Sequence, residues 1–350
     1  MMNSLKKFEY NPLFFLSIVF PLILLLSVFL CSLTVKAETL PGQFGLQAVI
    51  PENQVDRSVS YFDLLVQPNQ KQTIEVELKN LSEEQRSFFI NVNPAVTSDG
   101  GTIDYGQKNP QLDKSLPFDI RKSIHLEANE ITLAGKSSQK IPIQLSLPDI
   151  QFEGRILAGI TVTPKERNEQ KESGNQAQIV NRLSYSLALV LQQKTNKIVP
   201  DLKLVTADSK AFNEVPYIRF LYQNPKGTII SQLVFKTKLY YRDKLFIENT
   251  SNTYLVAPYS HFNLRLDLKG QTVKSGEYRA EIVAQSEEKT WRFTKKFKIS
   301  GKEARKTNKN TVYQIEKTNW KLLGLGGILI IALALFIFLL IRDRLKTRKE

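Results

Sequence analysis

Apolar and polar residues alternate along most of this sequence, and that pattern leaves few folds open. Ile74, Val76 and Leu78 are separated by charged residues, and the same two-residue period recurs within 141–147, 185–191, 262–268 and 291–299. Successive side chains of a strand point to opposite faces, so each segment is predicted to be a strand with one buried face. No stretch keeps a helical period, which favours antiparallel sheets over alternating strands and helices.

Turn-forming residues separate the alternating segments. Many short strands joined by such turns predict an all-β chain with two tandem immunoglobulin-like β-sandwich domains. A Gly276-Glu277-Tyr278 run opens one late strand, and its tyrosine is predicted to be either a tyrosine corner or a plain core residue. The turns are expected at 68–70, 99–101, 134–136, 224–227, 269–270 and 275–276.

A polar stretch at 164–178 interrupts the strand pattern and contains almost nothing that can be buried. If it is a linker, the strand at 181–193 opens the second domain; if it is the loop of a long hairpin, that strand closes the first. We favour the hairpin, because residues 201–299 already supply about seven strands, enough for a complete sandwich. The first sandwich is accordingly expected within 41–195 and the second within 181–300, an overlap that covers both placements.

Both ends of the chain carry long apolar runs. Residues 322–341 contain no charged or polar side chain, a length that spans a bilayer, so a transmembrane helix is predicted over 321–341. Five basic residues crowd the tail at 342–350, which predicts a cytoplasmic C-terminus. Residues 1–37 have the pattern of a secretory signal peptide with cleavage after Ala37. The expected topology is a single-pass type I membrane protein whose residues 38–319 are extracytoplasmic, with a basic stalk at 301–320 leading to the membrane.

Composition narrows the function. The chain has 48 basic and 34 acidic residues, a net charge of +14, but nine of the basic residues lie in the two ends, which leaves a net charge of about +8 between them. An extracytoplasmic position makes nucleic acid an unexpected partner, whereas anionic wall polymers or headgroups are suitable counter-charges. The only cysteine, Cys31, lies inside the N-terminal apolar run, so no disulfide or zinc cluster is expected outside it.

No catalytic motif fits its context. The run Ser137-Ser138-Gln139-Lys140 matches S-x-x-K, but it begins a predicted strand instead of lying on a helix. His125 and His261 are the only histidines. We therefore expect no catalytic, cofactor-binding or metal-binding residue, and a chain that is not an enzyme.

Exposed tyrosines and one basic strand are the candidate interaction residues. Aromatic rings beside polar groups stack on sugars or anchor protein partners. The strand at 232–241 is predicted to carry Lys236, Lys238, Tyr240 and Arg242 on one face. The full set of candidates is Tyr61, Tyr105, Tyr217, Lys236, Lys238, Tyr240, Tyr241, Arg242 and Tyr259.

Short runs in both halves of the chain carry a resemblance to a known family. Those in the first half are 49–54, 60–64, 68–80, 99–105 and 152–160. Those in the second half are 181–185, 202–204, 223–225, 256–262, 275–278 and 291–297. In their order, and together with the predicted signal peptide, terminal helix and basic tail, they resemble the WxL-interacting proteins of Gram-positive bacteria over nearly the whole chain. The first-domain turn reads Pro-Asn-Gln where the family pattern has Pro-Gly-Gln, a change that Asn69 tolerates because asparagine accepts left-handed dihedrals.

The resemblance implies a membrane-anchored, non-enzymatic adaptor for WxL-domain surface proteins. It also implies a first domain associated with peptidoglycan or an anionic wall polymer, and a second associated with host proteins or other partners. Two other functions stay open on the sequence alone: a wall-active enzyme with an unrecognised site, and a chaperone for secreted surface subunits.

Overall fold

A computed structural model describes residues 43–107, 109–165, 183–309 and 311. The residues from Gly45 onward belong to one compact unit, and of the other unit, Met1–Phe44, only Gln43 and Phe44 are described. The strands of the first half are β1 (Phe44–Val49), β2 (Phe62–Leu65), β3 (Lys71–Asn80), β4 (Arg86–Pro94), β5 (Val96–Thr97), β6 (Ile103–Asp104), β7 (Ile124–His125), β8 (Glu130–Leu133), β9 (Ser138–Ser146), β10 (Arg155–Pro164) and β11 (Tyr185–Gln192). Those of the second half are β12 (Lys203–Phe212), β13 (Val215–Asn224), β14 (Ile230–Tyr241), β15 (Lys244–Thr250), β16 (Tyr254–Val256), β17 (Ser260–Asp267), β18 (Gly276–Gln285) and β19 (Thr290–Ile299).

The first half folds into two facing sheets, with strand orders β1-β3-β9-β7 and β2-β11-β10-β4-β8. Ile74, Val76 and Leu78 point inward from the first sheet, and Ile90 and Ile160 from the second, all at most 1% exposed. The two-residue period of the sequence thus separates a core face from an outer face on each sheet. The predicted all-β class is confirmed.

The strand after the polar stretch pairs within the first half. Strand β11 runs antiparallel to β10 over eight residue pairs, from Arg155 with Gln192 to Val162 with Tyr185, and lies parallel to β2 on its other side. Buried Leu189 and Leu191 complete the first core. In this topology β11 closes the first sandwich, as in the hairpin placement.

The second half forms sheets of order β12-β13-β17 and β15-β14-β18-β19, with β16 paired to β14. Its core is strongly aromatic: Tyr222 lies 4.7 Å from Phe235 and 5.7 Å from Phe262 between ring centroids. Tyr278 is a tyrosine corner. Its hydroxyl donates to the Lys274 carbonyl oxygen (2.8 Å) and accepts from the Lys274 amide (3.0 Å). Burial raises the pKa of Tyr278 to about 12.

Turn chemistry follows the sequence at most predicted positions. Asn69 has φ 59°, the left-handed conformation that the family pattern gives to glycine. Gly101 and Gly270 also have positive φ, at 82° and 81°. These turns set the strand registers on which the outer faces depend.

The start of the predicted basic stalk is a helix, which was not predicted from the sequence. Helix α1 spans Gly301–Asn308 and begins at Ser300, whose side chain accepts from the Glu303 amide at 3.1 Å. Ser300 and Glu303 have the Ser-x-x-Glu spacing of a capping box, a signal that the strand-based reading overlooked. The Glu303 carboxylate also accepts from the amide and hydroxyl of Ser209, so the helix is docked on β12.

The remaining predictions, for both ends of the chain and for the polar loop, concern residues outside the described ranges. These are the signal peptide at 1–37, most of the polar loop at 164–178, the rest of the stalk, the transmembrane helix at 321–341 and the tail at 342–350. Among the residues that are described, no helix is both long and apolar enough to cross a bilayer.

Candidate functional site

The outer face of the five-stranded sheet in the first sandwich carries paired hydroxyl groups. Thr161 and Ser186 lie 2.9 Å apart between side-chain oxygens, Thr163 and Ser184 lie 2.8 Å apart, and Asn91 is in register with Thr161. Both serines are exposed, Thr163 is half-buried, and Thr161 is buried. We call the following set the hydroxyl face: Ser87, Asn91, Thr132, Thr161, Thr163, Ser184 and Ser186.

Tyr105 borders the hydroxyl face because glycine leaves room for its ring. A Cβ at Gly159 would lie 2.4 Å from Cβ of Tyr105 and 2.6 Å from its Cγ, so the tyrosine packs against bare backbone of β10. The Tyr105 carbonyl oxygen accepts from Asn93 at 3.0 Å, which holds the segment in place. Burial, and to a smaller extent neighbouring Tyr61, raises the pKa of the Tyr105 hydroxyl. The structure therefore brings two predicted tyrosines, Tyr61 and Tyr105, close to each other.

An exposed aromatic ring lies at the opposite side of this face. Phe89 is 38% exposed, and the Lys165 ammonium lies 5.7 Å from its ring centroid. Lys165 also contacts the Glu130 carboxylate at 2.7 Å. The surface thus combines hydroxyls, an amide and aromatic rings, the set of groups that binds sugars through hydrogen bonds and ring stacking.

The second sandwich presents a basic face on its larger sheet. Lys236, Lys238 and Tyr240 point outward from β14 as predicted, and the Arg279 guanidinium lies 4.1 Å from the Tyr240 ring centroid. Carboxylates neutralise part of it: Lys238 lies 3.6 Å from Glu248, and Arg279 pairs with Glu281. The basic face comprises Lys236, Lys238, Tyr240, Arg279, Arg292, Lys296 and Lys298.

Two of the predicted interaction residues, Tyr241 and Arg242, do not lie on the basic face. Strand β14 ends at Tyr241, so Arg242 lies in the β14–β15 turn with φ 49° and not on the strand face. Tyr241 faces inward and packs 5.1 Å from Tyr278 between ring centroids. The register of a strand ends with its last ladder pair, which explains why extrapolating the period to Arg242 was wrong.

Tyr217 lies on the other sheet of the second sandwich. The Arg265 guanidinium lies between two rings, 5.4 Å from the centroid of Tyr217 and 4.4 Å from that of Phe212. Burial raises the pKa of the half-buried Tyr217 hydroxyl. This tyrosine is therefore part of a packed cation–π cluster and not an isolated exposed ring.

Tyr259 lies where the two sandwiches meet. Its hydroxyl donates to the Glu153 carbonyl oxygen, and its backbone has φ 49°. Close by, the Arg155 amide donates to the Gly227 carbonyl oxygen at 2.7 Å, an approach at which a Cβ on Gly154 would lie 2.1 Å from that oxygen. We call these contacts, together with those of Thr97, Asp99 and Asp113 below, the junction.

The β5–β6 hairpin reaches across the junction. Thr97 accepts from the Ala257 amide at 2.9 Å, and its hydroxyl lies 2.7 Å from that of Ser260. Asp99 contacts Asn263 at 3.0 Å and Arg265 at 2.8 Å. Hydrogen bonds of this number between buried and half-buried groups hold the two sandwiches in a defined arrangement.

Asp113 adds a charged contact to the junction. Its carboxylate accepts from Gln223 at 2.7 Å, lies 3.1 Å from Nδ1 of His261, and accepts from Ser115. Burial opposes ionisation, but these hydrogen bonds outweigh it and hold the pKa of Asp113 well below its ordinary value. His261, expected to be an ordinary surface or strand histidine, thus contacts the other sandwich.

Sequence reasoning missed the hydroxyl face and the junction carboxylates. The alternation of Thr161 and Thr163 with buried Ile160 and Val162 marks a polar outer face, and that signal was available. No sequence signal pairs Asp113 with a histidine 148 positions later. Within the described ranges, no group of three or more histidine, cysteine, aspartate or glutamate side chains is arranged to hold a metal ion.

Comparison with known families assigns both halves. A model of the WxL-interacting protein peptidoglycan-binding domain matches residues 44–164, and a model of the WxL-interacting protein host-binding domain matches residues 174–309. The chain belongs to the WxL-interacting protein family. Its hydroxyl face lies mostly on strands of the peptidoglycan-binding domain. The family boundary falls in the polar loop, although β11, beyond that boundary, pairs with β10. A search of curated proteins found no match.

Solved structures show only remote likeness. The YadV chaperone is 10% identical with a TM-score of 0.31, covering 73% of this chain and 100% of its own. The Pseudomonas aeruginosa CupB2 chaperone is 12% identical with a TM-score of 0.27, covering 67% and 97%. The CsuC–CsuE chaperone–tip adhesion subunit complex of Acinetobacter baumannii is 12% identical with a TM-score of 0.32, covering 74% and 99%. Likeness at this level carries no inference about partners.

Proposed function

We propose that this chain is a membrane-anchored, non-enzymatic adaptor of the cell surface. Its two immunoglobulin-like sandwiches bind different partners: the first binds peptidoglycan through the hydroxyl face, and the second holds WxL-domain proteins or host proteins through the basic face. The predicted signal peptide and the predicted C-terminal transmembrane helix support a position of both sandwiches outside the membrane. The two matched domains are both named for binding, which supports an adaptor over an enzyme.

The proposal that the first sandwich binds peptidoglycan rests on the chemistry of the hydroxyl face. Sugars present hydroxyls at close spacing and apolar ring faces, so their partners combine small hydrogen-bonding side chains with aromatic rings. Exposed Ser184 and Ser186 stand beside Thr163 and Thr161, with Tyr105 at one side of the face and Phe89 at the other. Tyr105, Phe89, Thr161 and Thr163 lie in the range that matches the peptidoglycan-binding model. Ser184 and Ser186 lie in the range that matches the host-binding model, but β11 pairs with β10 and brings them to the same face.

The wall-binding half is tested with the full chain and isolated cell walls. The double variant Ser184→Ala/Ser186→Ala removes two exposed hydroxyls, and each lost hydrogen bond weakens binding by about 1 kcal/mol, so a loss of about thirtyfold in affinity is expected. Thr294→Ala removes an exposed hydroxyl from the second sandwich and is the matched control. Co-sedimentation measures both. Equal affinity of the double variant and the parent chain contradicts the assignment.

The proposal that the second sandwich binds a protein partner rests on the exposed positive charge around Lys236 and Tyr240. Basic side chains beside an aromatic ring favour a partner with acidic and apolar groups, because such charges steer association and the ring supplies contact area. Co-purification of the full chain from membranes is expected to bring down a WxL-domain protein, identified by mass spectrometry. A chain that is released intact into the medium, or that purifies with no such partner, contradicts the proposal.

A further inference from the structure

The four-stranded sheet of the first sandwich carries a groove on its outer face, away from the hydroxyl face. The groove has a volume of about 410 Å³ and opens between β3, β9 and β7. No carboxylate is among the side chains that line it in the described part of the chain. We call it the anion groove and define it by Lys71, Thr73, Lys122, His125, Gln144 and Ser146.

The strand register arranges these side chains in two rows. Thr73, Gln144 and His125 are direct cross-strand neighbours on three adjacent strands. Lys71 is opposite Ser146 in the next row, and the Ser146 amide donates at 2.8 Å to the Ser123 carbonyl oxygen, next to Lys122. Adjacent strands lie about 4.8 Å apart, so the backbones of Lys71 and Lys122, on opposite sides of the groove, are separated by about 10 Å.

The charges near the groove are less well paired than those further along the same face. Away from the groove, Lys79 lies 3.1 Å from Glu77, and Lys140 lies 3.9 Å from Glu75. Among the described residues Lys71 has no ion-pair partner, and the Asp119 carboxylate near Lys122 is paired with Arg121 at 2.7 Å. An excess of positive charge therefore borders a cavity lined by hydroxyl, amide and imidazole groups, an arrangement that favours an anionic occupant.

We propose that the anion groove binds the phosphodiester groups of a polyol-phosphate polymer. The cations that line the groove are lysines, whose ammonium groups bind phosphate oxygens as point charges. A single inorganic phosphate meets only the ammonium groups. A chain of repeated phosphates contacts both sides of the groove, and the hydroxyl and amide groups between them bind the polyol.

This site is independent of the peptidoglycan surface. The anion groove and the hydroxyl face lie on different sheets of the sandwich, so each is altered without touching the other. The first sandwich then has two contacts with the wall, one to neutral sugar and one to anionic polymer. Two weak contacts that engage together raise the apparent affinity well above that of either.

The test uses the full chain and a synthetic glycerol-phosphate oligomer. The double variant Lys71→Gln/Lys122→Gln is expected to bind the oligomer about tenfold more weakly, since each lysine beside an anionic partner contributes a factor of several. Lys79→Gln/Lys140→Gln removes the same charge from the same face, but from ion pairs, and is expected to change affinity less than twofold. Isothermal titration calorimetry measures both, and inorganic phosphate is expected to bind more weakly than the oligomer.

Three outcomes overturn the proposal. Equal losses in the two double variants indicate general attraction and not a site. Binding to vesicles of anionic phospholipid at least as tight as to the oligomer indicates a membrane partner. Unchanged affinity of the groove variant, with an unchanged unfolding temperature, shows that the groove is not used. Sedimentation with walls stripped of phosphodiester polymer reports on the hydroxyl face alone, so failure of one site leaves the other measurable.

Discussion

Replacing Gly154 by alanine is expected to open the junction and to lower the stability of the chain by about 2 to 4 kcal/mol. Gly154 has φ 72°, which a side chain rarely adopts, and its added Cβ would lie 2.1 Å from the Gly227 carbonyl oxygen. That oxygen accepts the Arg155 amide at 2.7 Å. The new methyl group meets backbone, which cannot rotate away, so the two sandwiches must separate or distort.

Gly100→Ala is the matched control for this prediction. Gly100 lies in the β5–β6 turn, and its added Cβ would meet nothing closer than the Ser98 hydroxyl at 3.6 Å. We expect the control to unfold at the parent temperature. Limited proteolysis of the segment 193–202 measures opening of the junction, and thermal unfolding measures stability. If Gly154→Ala melts and resists protease like the parent chain, the junction is not the tight contact described above.

The same substitution at two core tyrosines is expected to have opposite effects on stability. Tyr278→Phe removes both hydrogen bonds between the Tyr278 hydroxyl and the backbone of Lys274. The amide and carbonyl groups of Lys274 then lack the hydroxyl as a partner, which is expected to lower the free energy of unfolding by about 1 to 3 kcal/mol. The Tyr222 hydroxyl is buried and has no hydrogen-bond partner among the described residues. Tyr222→Phe removes this uncompensated polar group and is expected to stabilise the chain by about 1 kcal/mol.

Urea unfolding of the two variants tests the pair. Both residues lie in the second sandwich and both lose one oxygen atom, so each variant is the control for the other. The slope of free energy against urea concentration is expected to be unchanged, because the surface exposed on unfolding is the same. Destabilisation by Tyr222→Phe as large as that by Tyr278→Phe contradicts the account of its hydroxyl as uncompensated.

Particular residues show how far the sequence predicted the candidate sites. Lys236, Lys238 and Tyr240 were placed together because strand periodicity is local and extends over a few residues. Arg242 was misplaced by the same rule, since the position where a strand turns depends on its partner strand. Helix α1 was missed although Ser300 and Glu303 carry the capping-box spacing, because two turns of helix give too short a period to detect.

Three of the candidate tyrosines show what the tertiary structure adds to the sequence prediction. The sequence presents Tyr105, Tyr217 and Tyr259 as equivalent candidates, but their surroundings differ. Tyr105 packs on Gly159, Tyr217 packs beside Arg265, and Tyr259 donates to a carbonyl oxygen across the junction. A sequence pattern cannot separate these roles, since each depends on residues tens of positions away.

The primary structure alone determined the all-β class, the strand faces and the family, because these follow from two-residue periodicity, turn chemistry and local motifs. It also limited Tyr278 to two roles, a tyrosine corner or a plain core residue. Only the tertiary structure decided that Tyr278 is a corner, that Asp113 meets His261, and that Lys71 and Lys122 flank one groove. These depend on strand pairing and on the approach of two sandwiches, which bring together groups far apart in the chain. Long-range contacts of this kind leave no local pattern, and the sites of this protein are built from them.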